Sequence, residues 1–298
     1  MKTARRIHHT YDFYIFAVLK YSLTALVALI CLAPFYIIVV SSFTSEHYII
    51  VKGYSLIPHE ISLAAYKLIF QSPQRILNAY KISTFITIAG TFCSLLFSSM
   101  GAYVMYRKDV KYRNQLAFFL FFTTLFNGGL LPYYLLVART LGMRNTILPL
   151  LLCPMFNVVY ILILRNFLNV SVPQSLIEAA QIDGCNDFSI FFRIVLPLLK
   201  PGLASIGFFV ALGYWNDWWN AMMFVDTQVL QPLQYILWKI LANATFASTM
   251  VGTVPMQAQP QESLKLALTV VATGPIVLLY PFVQRFFVSG MTIGSVKG

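Results

Sequence analysis

Long stretches without charge alternate along this chain with short segments that are rich in charge. The mostly apolar stretches are Tyr21–Ser45, Ile82–Tyr106, Asn114–Ala138, Asn145–Leu164, Pro201–Val225 and Leu266–Gln284. A membrane-spanning helix needs about 20 mostly apolar residues, so the pattern predicts six spans. The run Ile240–Gln261 is also uncharged, but it is rich in Ser, Thr, Gln and Ala and contains Pro255 and Pro260. We predict a loop there.

The composition agrees with a chain whose solvent is mostly lipid. Of its 298 residues, 58% are hydrophobic and 10% are charged, and the mean hydropathy is +0.72. Soluble domains carry roughly 25% charged residues. The expected fold is therefore an all-α integral membrane protein with six transmembrane helices. The net charge of +11 does not indicate nucleic acid, because no basic stripe interleaves with polar groups.

Basic residues indicate which side of the membrane each loop occupies. The densest group lies between the second and third spans, at Arg107, Lys108, Lys111 and Arg113, and short loops rich in Lys and Arg stay in the cytoplasm. Both termini are then cytoplasmic, and the apolar run from Tyr21 is a retained helix, not a signal peptide. The predicted organisation is a cytoplasmic N-terminus at 1–20, one six-span domain at 21–286 with outer loops at 41–81 and 226–265 and a cytoplasmic segment at 171–201, and a cytoplasmic tail at 287–298.

Motifs for catalysis or for cofactor binding are missing from the sequence. The four cysteines are far apart and have no metal-ligand spacing. The histidines lie outside the predicted spans, and there is no G-x-x-x-x-G-K-[ST] phosphate loop. We therefore expect no catalytic residues, no metal site and no cofactor bound by this chain.

The cytoplasmic segment 171–201 has the pattern of two short helices joined by a glycine turn. Pro173 suits a helix start, Gly184 suits a left-handed helix end, and Asn186 is a good cap for the second helix. Apolar residues at helical spacing give each helix one apolar side, and Pro197 and Pro201 are expected to break the second helix. From this pattern alone, an interfacial helix pair that merely connects two spans is an equally good interpretation.

A family resemblance is carried by particular residues of this segment and by residues around it. The residues are Glu178-Ala179-Ala180, Asp183-Gly184, Ile194, Leu196-Pro197 and Pro201, with Trp215-Asn216-Asp217-Trp218 and the ending Gly290–Gly298. The segment resembles the EAA loop of binding-protein-dependent ABC importers. The whole chain resembles the second permease subunit of the carbohydrate importers of the maltose/oligosaccharide type, in the subgroup that takes up complex glycan fragments. Cys185 departs from the pattern, since alanine is commoner there.

The resemblance implies a type I importer fold in which the first helix of the loop couples the permease to an ATPase. Glu178 would make a polar contact with the ATPase, and Ala179 and Ala180 would let the helix sit close to it. Gly184 would set the angle between the two short helices. Phe188 and Phe191 would pack against the chain's own spans. The ATPase-coupling residues implied by the resemblance are Glu178, Ala179, Ala180, Asp183 and Gly184.

The resemblance also implies a set of partners. They are a second permease subunit, which would be a different chain, two ABC ATPase subunits that bind ATP and Mg, an extracellular substrate-binding protein, and an oligosaccharide substrate. The expected location is a bacterial cell membrane. An importer of a non-sugar solute is an alternative. A secondary transporter is another, but it would need acidic groups near the midplane of the membrane, and Asp217 is the only acidic residue in a predicted span.

Polar residues inside spans are candidates for the substrate path, because each is costly against lipid. The candidates are Asn127, Asn157, Tyr214, Trp215, Asn216, Asp217 and Trp218. A lone Asn has an alternative role as an interhelical hydrogen-bonding residue. The aromatic residues have an alternative role as an interfacial belt, because Asp217 would lie about 24 Å beyond Pro201 in a continuous helix.

Two further expectations concern the ends of the path. The outer loop that follows Asp226 would reach a substrate-binding protein, with Ala247–Gln259 as the segment that is needed. The tail 287–298 would either enter the interface between ATPase subunits, as the resemblance implies, or be a disordered end.

Overall fold

The computed structural model describes residues 11–249 and 260–291, and these residues are almost entirely helical. They contain an isolated antiparallel bridge between Thr44 and Ile61. The chain divides into two compact units, one of residues 1–71 and 241–271 and the other of residues 72–240 and 272–298. Residues 1–10 of the predicted N-terminus, 250–259 of the predicted outer loop and 292–298 of the tail lie outside the described residues.

The first unit contains one long apolar helix, two short helices and parts of two further helices. Its helices are α1 (Tyr11–Ser42), α2 (Glu46–Lys52) and α3 (Ala64–Ile69), together with the end of α14 (Leu233–Thr249) and the start of α15 (Glu262–Met291). The Glu46 carboxylate accepts hydrogen bonds from the backbone N–H groups of Gln261, Glu262 and Ser263. Burial alone would raise the pKa of Glu46, but these bonds hold it below its usual value. Glu46 therefore caps the otherwise unpaired N–H groups at the start of α15.

The second unit is built around one long helix. Its elements are α4 (Pro73–Tyr106), α5 (Arg113–Leu125), α6 (Leu130–Leu135, with a π-helical turn Leu136–Thr140), α7 (Leu148–Leu152), α8 (Val158–Ser171), α9 (Gln174–Ile182), α10 (Asp187–Ile190, with a π-helical turn Phe191–Val195), α11 (Leu196–Leu198), α12 (Lys200–Trp215) and α13 (Trp219–Phe224), followed by a 3₁₀ turn Gln228–Leu230. Helix α4 packs against both α8 and α12. Half of the buried residues in the hydrophobic core of this unit lie on these three helices.

Small residues allow α4 and α12 to approach closely. A Cβ at Gly90 of α4 would lie 2.5 Å from the ring of Tyr214, and a Cβ at Gly207 of α12 would lie 3.0 Å from Leu95. Ser94 Oγ of α4 donates a hydrogen bond to Met155 O at 2.7 Å. Small residues and short hydroxyl side chains are what membrane helices use to bring their backbones together.

Two described helices are long and apolar enough to cross a membrane, Tyr14–Ser42 and Pro73–Tyr106. Two sharply bent pairs also qualify if each pair is one span. Arg113–Leu125 meets Leu130–Thr140 at 116°, and Asp187–Leu198 meets Lys200–Trp215 at 79°. The described residues thus contain between two and four spans of sufficient length, and six spans stay a prediction.

The helices differ from the predicted runs at several places. The run 240–261 was predicted to be a loop, but α14 is helical through Thr249, because the prolines come later, at Pro255 and Pro260. The outer loop 41–81 includes α2, α3 and the first turns of α4. The predicted third span is interrupted before Gly129, whose φ is +89°, and the fifth is interrupted after Trp215.

Replacing Gly90 by Ala tests the contact between α4 and α12. The new methyl group overlaps the Tyr214 ring, and overpacking of this kind costs about 1–3 kcal/mol. We expect a lower thermal unfolding temperature of the purified protein in detergent. Gly101→Ala on the same helix is the matched control, since its Cβ meets Ile161 at an ordinary 3.5 Å. Equal melting temperatures for the two variants would show that the close approach is not needed.

Candidate functional site

The segment between α8 and α12 folds as two short helices joined at a glycine, as predicted. Pro173 precedes the first turn of α9, and Gly184 has a φ of +80°. Asn186 Oδ1 accepts a hydrogen bond from Ser189 N at 2.8 Å and caps α10. The bend before α12 comes at Leu199, beyond Pro197, so Pro197 does not end the helical turns as predicted.

Helix α9 has one buried face and one exposed face. Ile177 and Ala180 are buried against the core of the second unit. Glu178, Ala179 and the turn residues Asp183 and Gly184 are exposed. Ile182 is 87% exposed, the highest fraction among the large apolar side chains of the described residues. Ala180 therefore allows α9 to pack on its own chain, and Ala179 is the alanine that leaves room on the outer face.

The two phenylalanines of the second short helix differ. Phe191 is buried and its ring lies 5.6 Å from the ring of Tyr103, in agreement with the expectation that it packs on the chain's own spans. Phe188 is 68% exposed, so the same expectation for Phe188 was wrong. Its side chain lines a cavity of about 220 Å³ together with Tyr103 and Arg107 at the end of α4.

A buried arginine holds the loop, and the sequence did not predict it. Arg107 lies just after the last residue of α4, and its side chain is 7% exposed. It makes ion pairs with Asp109 and with Asp187, and its Nη1 donates a hydrogen bond to Tyr103 Oη at 3.0 Å. The bonds from Arg107 hold the pKa of Asp109 below its usual value, against a smaller effect of burial. We call Tyr103, Arg107, Asp109 and Asp187 the Arg107 cluster.

A neighbouring residue ties the other side of the loop to the same helix end. Tyr106 Oη donates a hydrogen bond to Val172 O at 2.6 Å, and both residues are buried. The sequence places Arg107 among the basic residues that orient the chain in the membrane. The spacing of four residues between Tyr103 and Arg107 at the end of α4 was the signal that this arginine has a partner within the protein.

Four of the seven candidate path residues line two cavities of the second unit. Asn157, Tyr214 and Asp217 line a cavity of about 370 Å³. Asn127 lines a different cavity of about 820 Å³, together with Tyr133 and Trp219. The remaining candidates Trp215, Asn216 and Trp218 line neither cavity.

A hydrogen-bonded chain of three side chains runs between the two cavities. Tyr133 Oη donates to Asn220 Oδ1 at 2.7 Å, and Asn220 Nδ2 donates to Asp217 Oδ2 at 2.7 Å. Tyr133 lines one cavity and Asn220 lines the other. Sequence reasoning missed both residues. The position of Asn220, three residues after Asp217 and one helical turn away, was the available signal.

Several candidate residues use their polar groups within the chain. Tyr214 Oη donates to Leu151 O at 2.6 Å, and Trp215 Nε1 donates to Ala272 O at 3.1 Å. Trp218 stacks on Trp238 with ring centroids 5.2 Å apart. Trp215 and Trp219 lie on different helices, because α12 ends at Trp215 and α13 begins at Trp219.

The three candidate asparagines make hydrogen bonds within the chain. Asn157 Oδ1 accepts from Val159 N at 3.0 Å and caps α8. Asn127 Oδ1 accepts from Gly129 N at 2.8 Å, at the break before α6. Asn216 Nδ2 donates to Leu212 O and its Oδ1 accepts from Gln234. Asn127 and Asn157 thus satisfy backbone groups exposed at helix breaks, where the alternative expectation was a bond between helices.

Residues 76–293 match the family described as the binding-protein-dependent transport system inner membrane component. This chain belongs to that family. It is a transport permease subunit of an ABC importer, in which a separate ATPase subunit hydrolyses the ATP. The match includes the whole of the α9–α10 loop and both cavities, so the geometry described above belongs to the part that defines the family.

The permease is similar to proteins of known name over nearly its full length. It is 38% identical over 285 residues to the polygalacturonan/rhamnogalacturonan transport system permease protein YtcP of Bacillus subtilis (strain 168), with 95% of this chain and 99% of that protein covered. It is 36% identical to Protein LplC of the same organism over the full length of both chains. A solved bacterial ABC transporter involved in the import of the acidic polysaccharide alginate contains a chain with 28% identity and a TM-score of 0.73, with 93% of this chain and 98% of that chain covered.

Substitutions at Gly184 test the left-handed turn of the loop. A Cβ there meets nothing within 4 Å, so the cost comes from the backbone alone, about 1–2 kcal/mol for most L-residues. We expect Gly184→Val to raise hydrogen exchange in α9 and α10 of the purified permease. Gly184→Asn is expected to raise it less, because asparagine tolerates positive φ. Equal exchange in both variants would contradict a role for the backbone conformation.

Proposed function

We propose that this chain is the second permease subunit of an importer for oligosaccharide fragments, coupled to its ATPase by the exposed face of α9. The observation that carries the proposal is the contrast between the two faces of that helix. Ile177 and Ala180 fix it to the core, while Glu178, Ala179 and Ile182 stay exposed. A short rigid helix with an unpartnered apolar and acidic face is suited to insertion into a cleft of another protein.

Each exposed residue has a different proposed role in docking on the ATPase. The apolar side chains Ile182 and Phe188 supply area that leaves water on binding. Glu178 supplies a polar contact, and Ala179 lets the helix approach closely. Asp183 and Gly184 form the turn that directs α10 away from the interface. Ala180, proposed from the family resemblance as a contact residue, supports the docking from the opposite face.

The proposed topology has six spans, with both termini in the cytoplasm of a bacterial cell. It counts the bent α5–α6 and α12–α13 regions as one span each, and α7 with α8 as another, beside α1, α4 and α15. Breaks inside a span are tolerated where the backbone is hydrogen-bonded or lines a cavity, and Asn127, Asn157 and Asp217 meet that condition. The outer loops 41–81 and 226–265 and the cytoplasmic tail 287–298 complete the proposal.

An oligosaccharide cargo is supported by the cavities and by the relatives. Amide, phenol and carboxylate groups from Asn127, Tyr133, Asn157, Asp217 and Asn220 line or join the two cavities. These groups both donate and accept hydrogen bonds, which suits the hydroxyl groups of a sugar. The relative YtcP is named as the permease of a polygalacturonan/rhamnogalacturonan transport system. An importer of a non-sugar solute is the alternative. Uptake measured with a panel of oligosaccharides and non-sugar solutes would distinguish the two.

The proposed assembly contains this permease, a different second permease, two ABC ATPase subunits that bind ATP and Mg, and an extracellular binding protein. Three of the candidate residues line neither cavity: Trp215, Asn216 and Trp218. Their proposed role is to position the adjacent Tyr214 and Asp217, which do line one. The chain itself needs no cofactor in this scheme.

Reversing the charge at Glu178 tests the docking face. A lysine at this position removes the proposed polar contact and leaves its partner on the ATPase without an opposite charge. Loss of one partner of a buried charge pair costs about 2–5 kcal/mol of binding free energy. We expect Glu178→Lys to reduce uptake of labelled oligogalacturonides and rhamnogalacturonan fragments by more than tenfold while the permease still inserts. Lys67→Glu, which reverses an exposed charge in the predicted outer loop 41–81, serves as the control. Normal uptake by Glu178→Lys would exclude the proposed coupling face.

Removing one hydroxyl tests the path. Tyr133→Phe keeps the ring but breaks the bond to Asn220, and one such bond contributes about 0.5–1.5 kcal/mol. We expect roughly a two- to tenfold rise in the KM for uptake, with ATPase stimulation by the loaded binding protein retained. The adjacent Tyr134→Phe is the control, since Tyr134 stacks on Phe224. An unchanged KM in Tyr133→Phe would remove Tyr133 from the path.

A further inference from the structure

One end of α4 is bonded to both flanks of α9. Tyr106, the last residue of α4, donates to Val172 O just before α9. Arg107, the next residue, pairs with Asp187 just after the turn that ends α9. The helix proposed to dock on the ATPase is thus bracketed by two bonds that both lead to the same helix end.

The Arg107 cluster is arranged so that the arginine has one fixed direction. Asp109 binds its Nε at 2.6 Å and also pairs with Nη2, and Tyr103 Oη accepts from Nη1. The guanidinium lies near the Tyr103 ring, 5.6 Å from its centroid, and that ring contacts Phe191. A buried guanidinium held by two groups of its own segment has little freedom to follow a third partner. Movement of Asp187 is therefore resisted by α4 itself.

The opposite half of α4 contacts the cavity and the segment that precedes α14. Gly90 touches the ring of Tyr214, which lines the cavity with Asp217. The first turns of α4 then bond to residues 229–233. These bonds are Asn78 Nδ2 to Val229 O at 2.6 Å, Arg75 Nη2 to Gln231 Oε1 at 3.2 Å, and Leu233 N to Ser83 Oγ at 2.8 Å. One continuous helix thus joins the α9 loop, the cavity wall and the segment at 229–233.

We propose that Arg107 is a positioning residue that transmits displacement of α9 to α4 through Asp187, so that ATP-driven movement of the loop reaches the cavity and the 229–233 segment. The inference rests on the proposed function, because it needs an ATPase docked on α9. A helix with bonds at both ends moves as one element, and a two-state element that both sites bias is the physical requirement for coupling between them.

The test compares two carboxylates that bind the same arginine. Asp187→Asn replaces the ion pair that crosses to the loop by at most a weaker neutral hydrogen bond, whereas Asp109→Asn makes the same change within the segment that follows α4 and leaves the crossing ion pair in place. Both side chains are more than half exposed, and in each variant Arg107 keeps one carboxylate partner. The two variants therefore have similar costs in stability but differ in what they disconnect.

The measurement is made on the whole assembled transporter in lipid vesicles. The stimulating probe is the binding protein loaded with oligogalacturonides. We expect Asp187→Asn to lower the ratio of stimulated to basal ATPase activity by roughly two- to fivefold, a small coupling energy, without a change in subunit recovery or melting temperature. Asp109→Asn is expected to keep the wild-type ratio, because the asparagine oxygen still accepts a hydrogen bond from Arg107 and the ion pair between Arg107 and Asp187 is intact. Asp187→Glu, which restores the carboxylate on an exposed side chain, is expected to restore it.

Each outcome has one consequence. A lower ratio in Asp187→Asn alone, with rescue by Asp187→Glu, supports transmission through Arg107. Equal ratios in Asp187→Asn and wild type overturn it, and so does an equal loss in Asp109→Asn, since that loss would follow from a general weakening of the cluster. A wild-type transporter that no oligosaccharide-loaded binding protein stimulates would instead contradict the proposed function.

Discussion

The second unit depends on the close approach of α4 to its neighbours. A glycine at position 90 leaves the space that the Tyr214 ring fills, and Tyr214 in turn bonds to the backbone of α7 at Leu151. Without a hydrophobic driving force between helices in lipid, shape complementarity and interhelical hydrogen bonds must hold them together. Ser83 and Ser94 add two such bonds along the same helix. Both cavity walls and the α9 loop are then positioned relative to α4.

The breaks in the apolar helices follow from the same constraint. A helix that stops inside the membrane leaves backbone groups unpaired, and each unpaired group is costly there. Asn127, Asn157 and Asp217 supply the missing partners at three breaks. Their side chains consequently line the cavities, where a sugar would also find donors and acceptors. The residues that satisfy the backbone at these breaks are thus the same ones that we propose for the polar path.

The α9 loop shows how a small surface helix is held for contact with another protein. Its inner face contributes Ile177 and Ala180 to the core, and its flanks are bonded to Tyr106 and Arg107. Glu178 and Ile182 therefore stay exposed on the outer face. A helix of nine residues is too short to be stable alone in water, so its shape is supplied by the core beneath it.

Local patterns in the sequence determined the membrane character, the helix–glycine–helix loop and the family, because charge-free runs, Gly184 and Asn186 act within one or two turns of chain. The position of the breaks at Gly129 and Asn216 was only partly visible, since apolar composition is the same on both sides of a break. The burial of Arg107 and Ala180, and the chain from Tyr133 through Asn220 to Asp217, were decided by tertiary structure. These contacts join residues up to 87 positions apart. The local sequence pattern around a residue does not specify which distant segment packs against it in the folded protein.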